Sequence, residues 1–95
     1  MTPSFELATS RRYERLARQL LKRQPKFYAV QERAFEILST DPTNRSGFHN
    51  IKKLTDVPRG EGQWRLAFGR FRIRYDLNDQ SVVLQYCGLR REDTY

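Results

Sequence analysis

Residues 64–76 read Trp-Arg-Leu-Ala-Phe-Gly-Arg-Phe-Arg-Ile-Arg-Tyr-Asp, and this run constrains the fold more than any other stretch of the chain. Trp64, Leu66 and Phe68 alternate with Arg65 and Ala67; Phe71, Ile73 and Tyr75 alternate with Arg72 and Arg74. A period of two is the mark of a strand with one face on a core. Gly69-Arg70 sits between the two runs with glycine first, the signal of a two-residue type II′ turn, so the runs form a hairpin. That turn sets Phe68 opposite Phe71, Ala67 opposite Arg72, Leu66 opposite Ile73, Arg65 opposite Arg74 and Trp64 opposite Tyr75. The apolar pairs, Trp64 and Tyr75 among them, then pack on the core, and Arg65, Arg72 and Arg74 collect on the other face. Like charges directly across a ladder destabilise it, so Arg65 facing Arg74 points to an anion that would relieve the repulsion. The alternative is a solvated sheet face whose arginines splay into water or meet carboxylates such as Glu92.

The rest of the chain supplies what this hairpin packs against. Asn78-Asp79 lies in the next turn, and Val82, Leu84 and Tyr86 continue the buried face of a last strand reaching about Leu89, which sets Cys87 on the arginine face. Near the start, Phe5 and Leu7 alternate with Ser4, Glu6 and Ala8 as a short strand, and Thr9-Ser10 offers a helix cap. Tyr13, Leu16, Ala17, Leu20 and Leu21 follow at helical spacing, with Arg11, Arg12, Arg15, Arg18 and Lys22 on the remaining faces. Pro25 ends this helix and suits the first turn of a second one, in which Phe27, Val30, Ala34, Ile37 and Leu38 form the apolar stripe before Asp41-Pro42 stops it. Residues 41–63 read as a long, mostly irregular connection with Phe48, Ile51, Leu54 and Val57 as its apolar anchors. The expected fold is α+β in a single domain over residues 1–95: an N-terminal strand, two antiparallel helices, then antiparallel strands forming one sheet with the helices on one face.

Charge narrows the partner. Eighteen basic residues against eleven acidic give +7, and fourteen of the eighteen are arginines, whose planar fork grips phosphate bidentately and stacks on bases. There is no run of ~20 apolar residues and no charged-then-apolar leader, so a cytoplasmic protein with no membrane partner is expected. One cysteine excludes an internal disulfide, and one cysteine with one histidine cannot build a closed zinc site. Neither a metal nor another cofactor is expected. The lone His49 reads as a surface side chain of the long connection.

The segment from Leu54 to Tyr95 resembles the RelE/ParE toxin superfamily. The resemblance rests on residues 64–76, on Val-Val-Leu at 82–84 and on Gly-Leu-Arg-Arg-Glu-Asp-Thr-Tyr at 88–95, and the element order agrees over the whole chain. It implies a RelE-like fold and a toxin of a type II toxin-antitoxin system, neutralised by a cognate antitoxin protein, alone or in a higher-order complex. In RelE-like members it implies a ribosome-dependent endoribonuclease that cuts mRNA; in ParE-like members, a protein that inhibits DNA gyrase by binding it. A catalytically inert RNA-binding relative is the third reading. Residue by residue, Arg65 matches the first basic position of the catalytic strand, Arg72 the arginine after the turn aromatic, Arg90 the arginine of the closing segment, and Tyr95 the late tyrosine. These four are the catalytic candidates. Lys52 and Lys53 match the basic stretch before the hairpin and, with Arg74 and Arg91, are the RNA-binding candidates. Ala67 stands where many nucleases of the family have a second lysine, and Leu89 where many members have histidine.

RNA cleavage requires a deprotonated 2′-hydroxyl, a stabilised in-line phosphate and a protonated leaving 5′-oxygen. Arginine suits the second task and not the first, because its pKa exceeds ~12. Tyr95 is the candidate base, since guanidinium groups nearby favour the phenolate; Glu92 and Asp93 are the alternatives.

Overall fold

A computed structural model describes residues 4–90 of the chain. Strand β1 (Glu6–Thr9) leads into helices α1 (Arg11–Arg23) and α2 (Phe27–Thr40), followed by strands β2 (Ile51–Lys53), β3 (Trp64–Phe68), β4 (Phe71–Asn78) and β5 (Ser81–Leu89). The strands form one sheet in the order β1-β5-β4-β3-β2. All neighbours are antiparallel except β1, which runs parallel to β5 with Leu7 opposite Val82. The fold is α+β, with the helices on one face of the sheet.

Local chemistry explains the helix boundaries. Ser10 is the cap of α1, its hydroxyl accepting the Tyr13 amide at 3.0 Å, which satisfies one of the free N–H groups of the first turn. Tyr13, Ala17 and Leu20 are the buried stripe of α1, and Phe27, Ala34, Ile37 and Leu38 that of α2. The Asp41 amide closes α2 by donating to Ile37 O. Against these stripes the sheet presents Leu66, Ile73, Tyr75, Val82, Leu84 and Cys87, with Trp64 and Phe68 partly buried beside them. The Tyr75 and Trp64 rings stack at 6.4 Å, so both are packing residues. Buried phenols find partners: Tyr13 donates to Gln31 Oε1 at 2.6 Å and Tyr75 to Pro42 O at 2.6 Å. Burial raises both phenols well above the ordinary tyrosine range, reinforced by Cys87 beside Tyr13 and Asp41 beside Tyr75.

The β3–β4 register is the one the turn implies, pair for pair, from Phe68↔Phe71 to Trp64↔Tyr75. Gly69 has φ +54° and Arg70 does not have a positive φ, as a two-residue turn with glycine first requires. The next turn falls one residue later than expected: Asn78 pairs with Ser81, and Asp79 carries the positive φ.

Two sequence expectations are corrected. First, β5 does not keep one phase. Arg74 pairs with Tyr86 and Tyr75 with Leu84, so Gln85 is an extra residue in a β-bulge, and a bulge exchanges the faces of everything beyond it. Tyr86 therefore joins the arginine face and Cys87, 2% exposed, joins the core. Second, the connection 41–63 contains strand β2, which adds to the edge of β3 with Ile51 opposite Leu66.

Candidate nucleic-acid interface

Residues directly opposite each other in an antiparallel ladder share a face. The registers therefore set Lys52, Arg65, Arg74 and Tyr86 in one row across β2, β3, β4 and β5, on the face away from the helices. The adjacent row on that face is Ala67, Arg72 and Gly88. At about 4.8 Å between neighbouring strands, the first row spans about 14 Å. Arg12, from the first turn of α1, extends it: its guanidinium lies 5.6 Å from the centre of the Tyr86 ring, and that of Arg74 lies 5.9 Å from the same centre.

A loop divides this face into a covered and an accessible half. Leu54 N donates to Gln63 O at the loop's base, and the segment between them folds over β4. Asp76, 1% exposed, is what it folds onto. Its carboxylate accepts from Gly60 N at 2.8 Å, Gly62 N at 3.4 Å, Gln63 N at 2.9 Å and Gln85 Nε2 at 3.1 Å, so the bulged residue joins the same clamp. Gly62 lies so close to β4 that a Cβ there would meet Arg74 Cβ at 2.7 Å, and its φ of +88° is one that glycine adopts without strain.

Arg74 consequently lies beneath the loop, 7% exposed, with Nε donating to Gly62 O at 3.1 Å. The loop therefore covers this RNA-binding candidate, whose side chain is held inside the fold. Its guanidinium meets the Gly62 carbonyl through Nε and lies beside the Tyr86 ring. The accessible half holds Arg65 and Arg72, both half-buried, with exposed Lys52 at the edge. Arg72 is anchored by the turn, Nη1 donating to Gly69 O at 2.6 Å and Phe71 O at 2.9 Å. Arg90 is exposed just beyond β5, and its amide donates to Arg70 O at 2.7 Å, which ties the end of the last strand to the hairpin turn.

The other candidates separate. Lys53 is one residue from Lys52 and so points to the opposite side, where its ammonium lies 5.6 Å from the Trp64 ring centre; it is not part of the arginine face. Arg91 and Tyr95, with Glu92 and Asp93, lie outside the described residues. His49 Nε2 is 3.7 Å from Asp41 Oδ2, which makes it part of the loop after α2 rather than a free surface group.

Sequence reasoning missed Tyr86 and Arg12 as members of this surface. The sequence held no clear signal for Tyr86: β5 is apolar at 82, 83, 84, 86, 87 and 89, a pattern that fits either phase beyond Gln85, and the bulge alone decides between them. Among the described residues no three histidine, cysteine, aspartate or glutamate side chains gather as a metal site, and no helix is long and apolar enough to cross a membrane. No family model, curated protein or solved structure matches the chain.

Proposed function

We propose that this chain is the toxin of a toxin-antitoxin pair and cleaves mRNA on the ribosome, with Arg65, Arg72 and Arg90 at the scissile phosphate. The observation that carries the reading is the grouping of Lys52, Arg65 and Arg72 on the accessible half of one sheet face. The hairpin turn fixes the Arg72 head group in place. Preorganised guanidinium groups suit the charge that develops on phosphate oxygens in the transition state. Lys52 holds neighbouring backbone. Tyr95 takes the 2′-hydroxyl proton or orients the nucleotide, a role that comes from the resemblance to RelE-like toxins. Ribosomes place this activity in the cytoplasm. The exposed Arg11, Arg15, Arg18 and Lys22 on α1 suit an acidic antitoxin segment that wraps the helix layer.

The test is single-turnover cleavage of the messenger on a programmed ribosome. Arg72→Ala lowers the rate by roughly 10²–10³, the scale of losing one transition-state donor, while ribosome binding falls much less because other cations still hold the backbone. Tyr95→Phe separates the hydroxyl from the ring. A wild-type protein that leaves the messenger intact and instead traps gyrase on DNA would replace this reading with the ParE-like one.

A further inference from the structure

Two large hydrophobic side chains are exposed among the described residues, and Phe48, at 88%, is the more exposed. A lone apolar side chain on a surface is ordinary; what sets Phe48 apart is the loop that presents it. The Asp41 carboxylate accepts from Arg45 N at 2.7 Å, Ser46 N at 3.2 Å and Ser46 Oγ at 2.6 Å, and Ser46 Oγ accepts the Phe48 amide at 3.2 Å. Asn44 bridges the far side, Nδ2 donating to His49 O at 2.8 Å and Oδ1 accepting His49 N at 3.1 Å. Burial works to raise the Asp41 carboxyl, but the bonds from Ser46 and Arg45 and the nearby His49 outweigh it and hold it below the usual range, so it stays an ionised acceptor at neutral pH. None of these bonds involves the Phe48 ring. The loop holds its shape by its own polar groups and carries the ring outward at its tip.

The charges of the segment that carries the ring point to what it meets. Residues 41–53 include Arg45, Lys52 and Lys53, together with His49, against one carboxylate, Asp41, which the loop's own donors occupy. Four residues of chain join Phe48 to Lys52, at most about 14 Å, and Asn50 between them accepts the Ala67 amide at the edge of the arginine face. An exposed aromatic ring on a loop that carries Arg45 and runs into Lys52 of the arginine face, with the loop's carboxylate, Asp41, taken up by the Arg45 and Ser46 amides and the Ser46 hydroxyl, matches a polyanion with flat apolar faces, which is unpaired nucleic acid. We propose that Phe48 stacks on an unpaired base of single-stranded RNA whose phosphates are held by Lys52 and Arg65. This rests on the reading that the arginine face binds RNA.

A short RNA oligonucleotide carrying 2-aminopurine tests it, with affinity read by anisotropy and stacking by fluorescence quenching. Phe48→Ala weakens binding roughly 5- to 100-fold, the range for losing one base–aromatic stack, and abolishes the quenching. It leaves the thermal midpoint unchanged, because the ring supports nothing in the loop, and leaves the salt dependence unchanged, because no charge is removed. Phe48→Trp retains both affinity and quenching. The stacking proposal is overturned if Phe48→Ala binds and quenches like wild type while Arg65→Ala binds weakly; RNA recognition by the face then stands without it. Both proposals fall together if wild type does not bind the oligonucleotide.

Discussion

Asp76 decides how much of the arginine face a ligand can reach, because its buried carboxylate gathers three loop amides and the Gln85 side chain. Asp76→Ala leaves those donors without their acceptor, at a cost of about 2–4 kcal/mol once the loop relaxes partly into water. Urea unfolding gives the loss, and amide exchange at Gly60, Gly62 and Gln63 speeds up ahead of the core strands, which locates it. Unchanged exchange at those amides would mean the loop is held by something other than Asp76. Nothing in the sequence marks this residue. Its backbone partners are thirteen to sixteen positions away, and no local pattern announces a carboxylate that pins a distant loop. The burial of Arg74 was illegible for the same reason: alternation fixes the face a side chain is on, not what crosses over that face.

At the scale of elements, the legible parts are those with strong periods. The Gly69-Arg70 turn and the alternation on either side of it determine the β3–β4 register, and the apolar stripes at helical spacing determine α1 and α2. Strand β2 has three residues, too few for a period to stand out, and exists because the edge of β3 offers it hydrogen-bond partners. This short strand sends Lys52 and Lys53 to opposite sides, which separates their roles if the arginine face binds RNA as proposed. Lys52→Ala reduces RNA affinity and lowers the steepness of its salt dependence by about 0.7, the share of one phosphate contact on a single strand. Lys53→Ala leaves RNA binding unaltered and removes the contact with Trp64, a stability loss of about 0.5–1 kcal/mol. Paired salt titrations and urea melts of the two variants check the assignment; equal effects of both lysines on RNA affinity would contradict the register.

At the scale of the whole molecule, net charge and a specific site are separable, because two groups of cations lie on different elements of the fold. One is on the accessible sheet face with Lys52, Arg65 and Arg72, continued by Arg90; the other is on the outer side of α1 with Arg15 and Arg18. A chain of +7 attracts RNA through its overall field, whichever surface holds the charge. Phosphates held in contact leave a different signature, since each one displaces counterions and steepens the dependence of log K on log salt by about 0.7 on a single strand. Four face cations in contact therefore give a slope of about −2.8. Two double variants carry this test. Arg65→Gln with Arg72→Gln, and Arg15→Gln with Arg18→Gln, each remove two charges from +7 and leave +5. The face variant flattens the slope to about −1.4, and the helix variant stays near −2.8 with only a small drop in affinity. Potassium chloride titrations of a short single-stranded RNA measure both. If the two variants flatten equally, RNA is held by net charge and the arginine face has no special part in binding it.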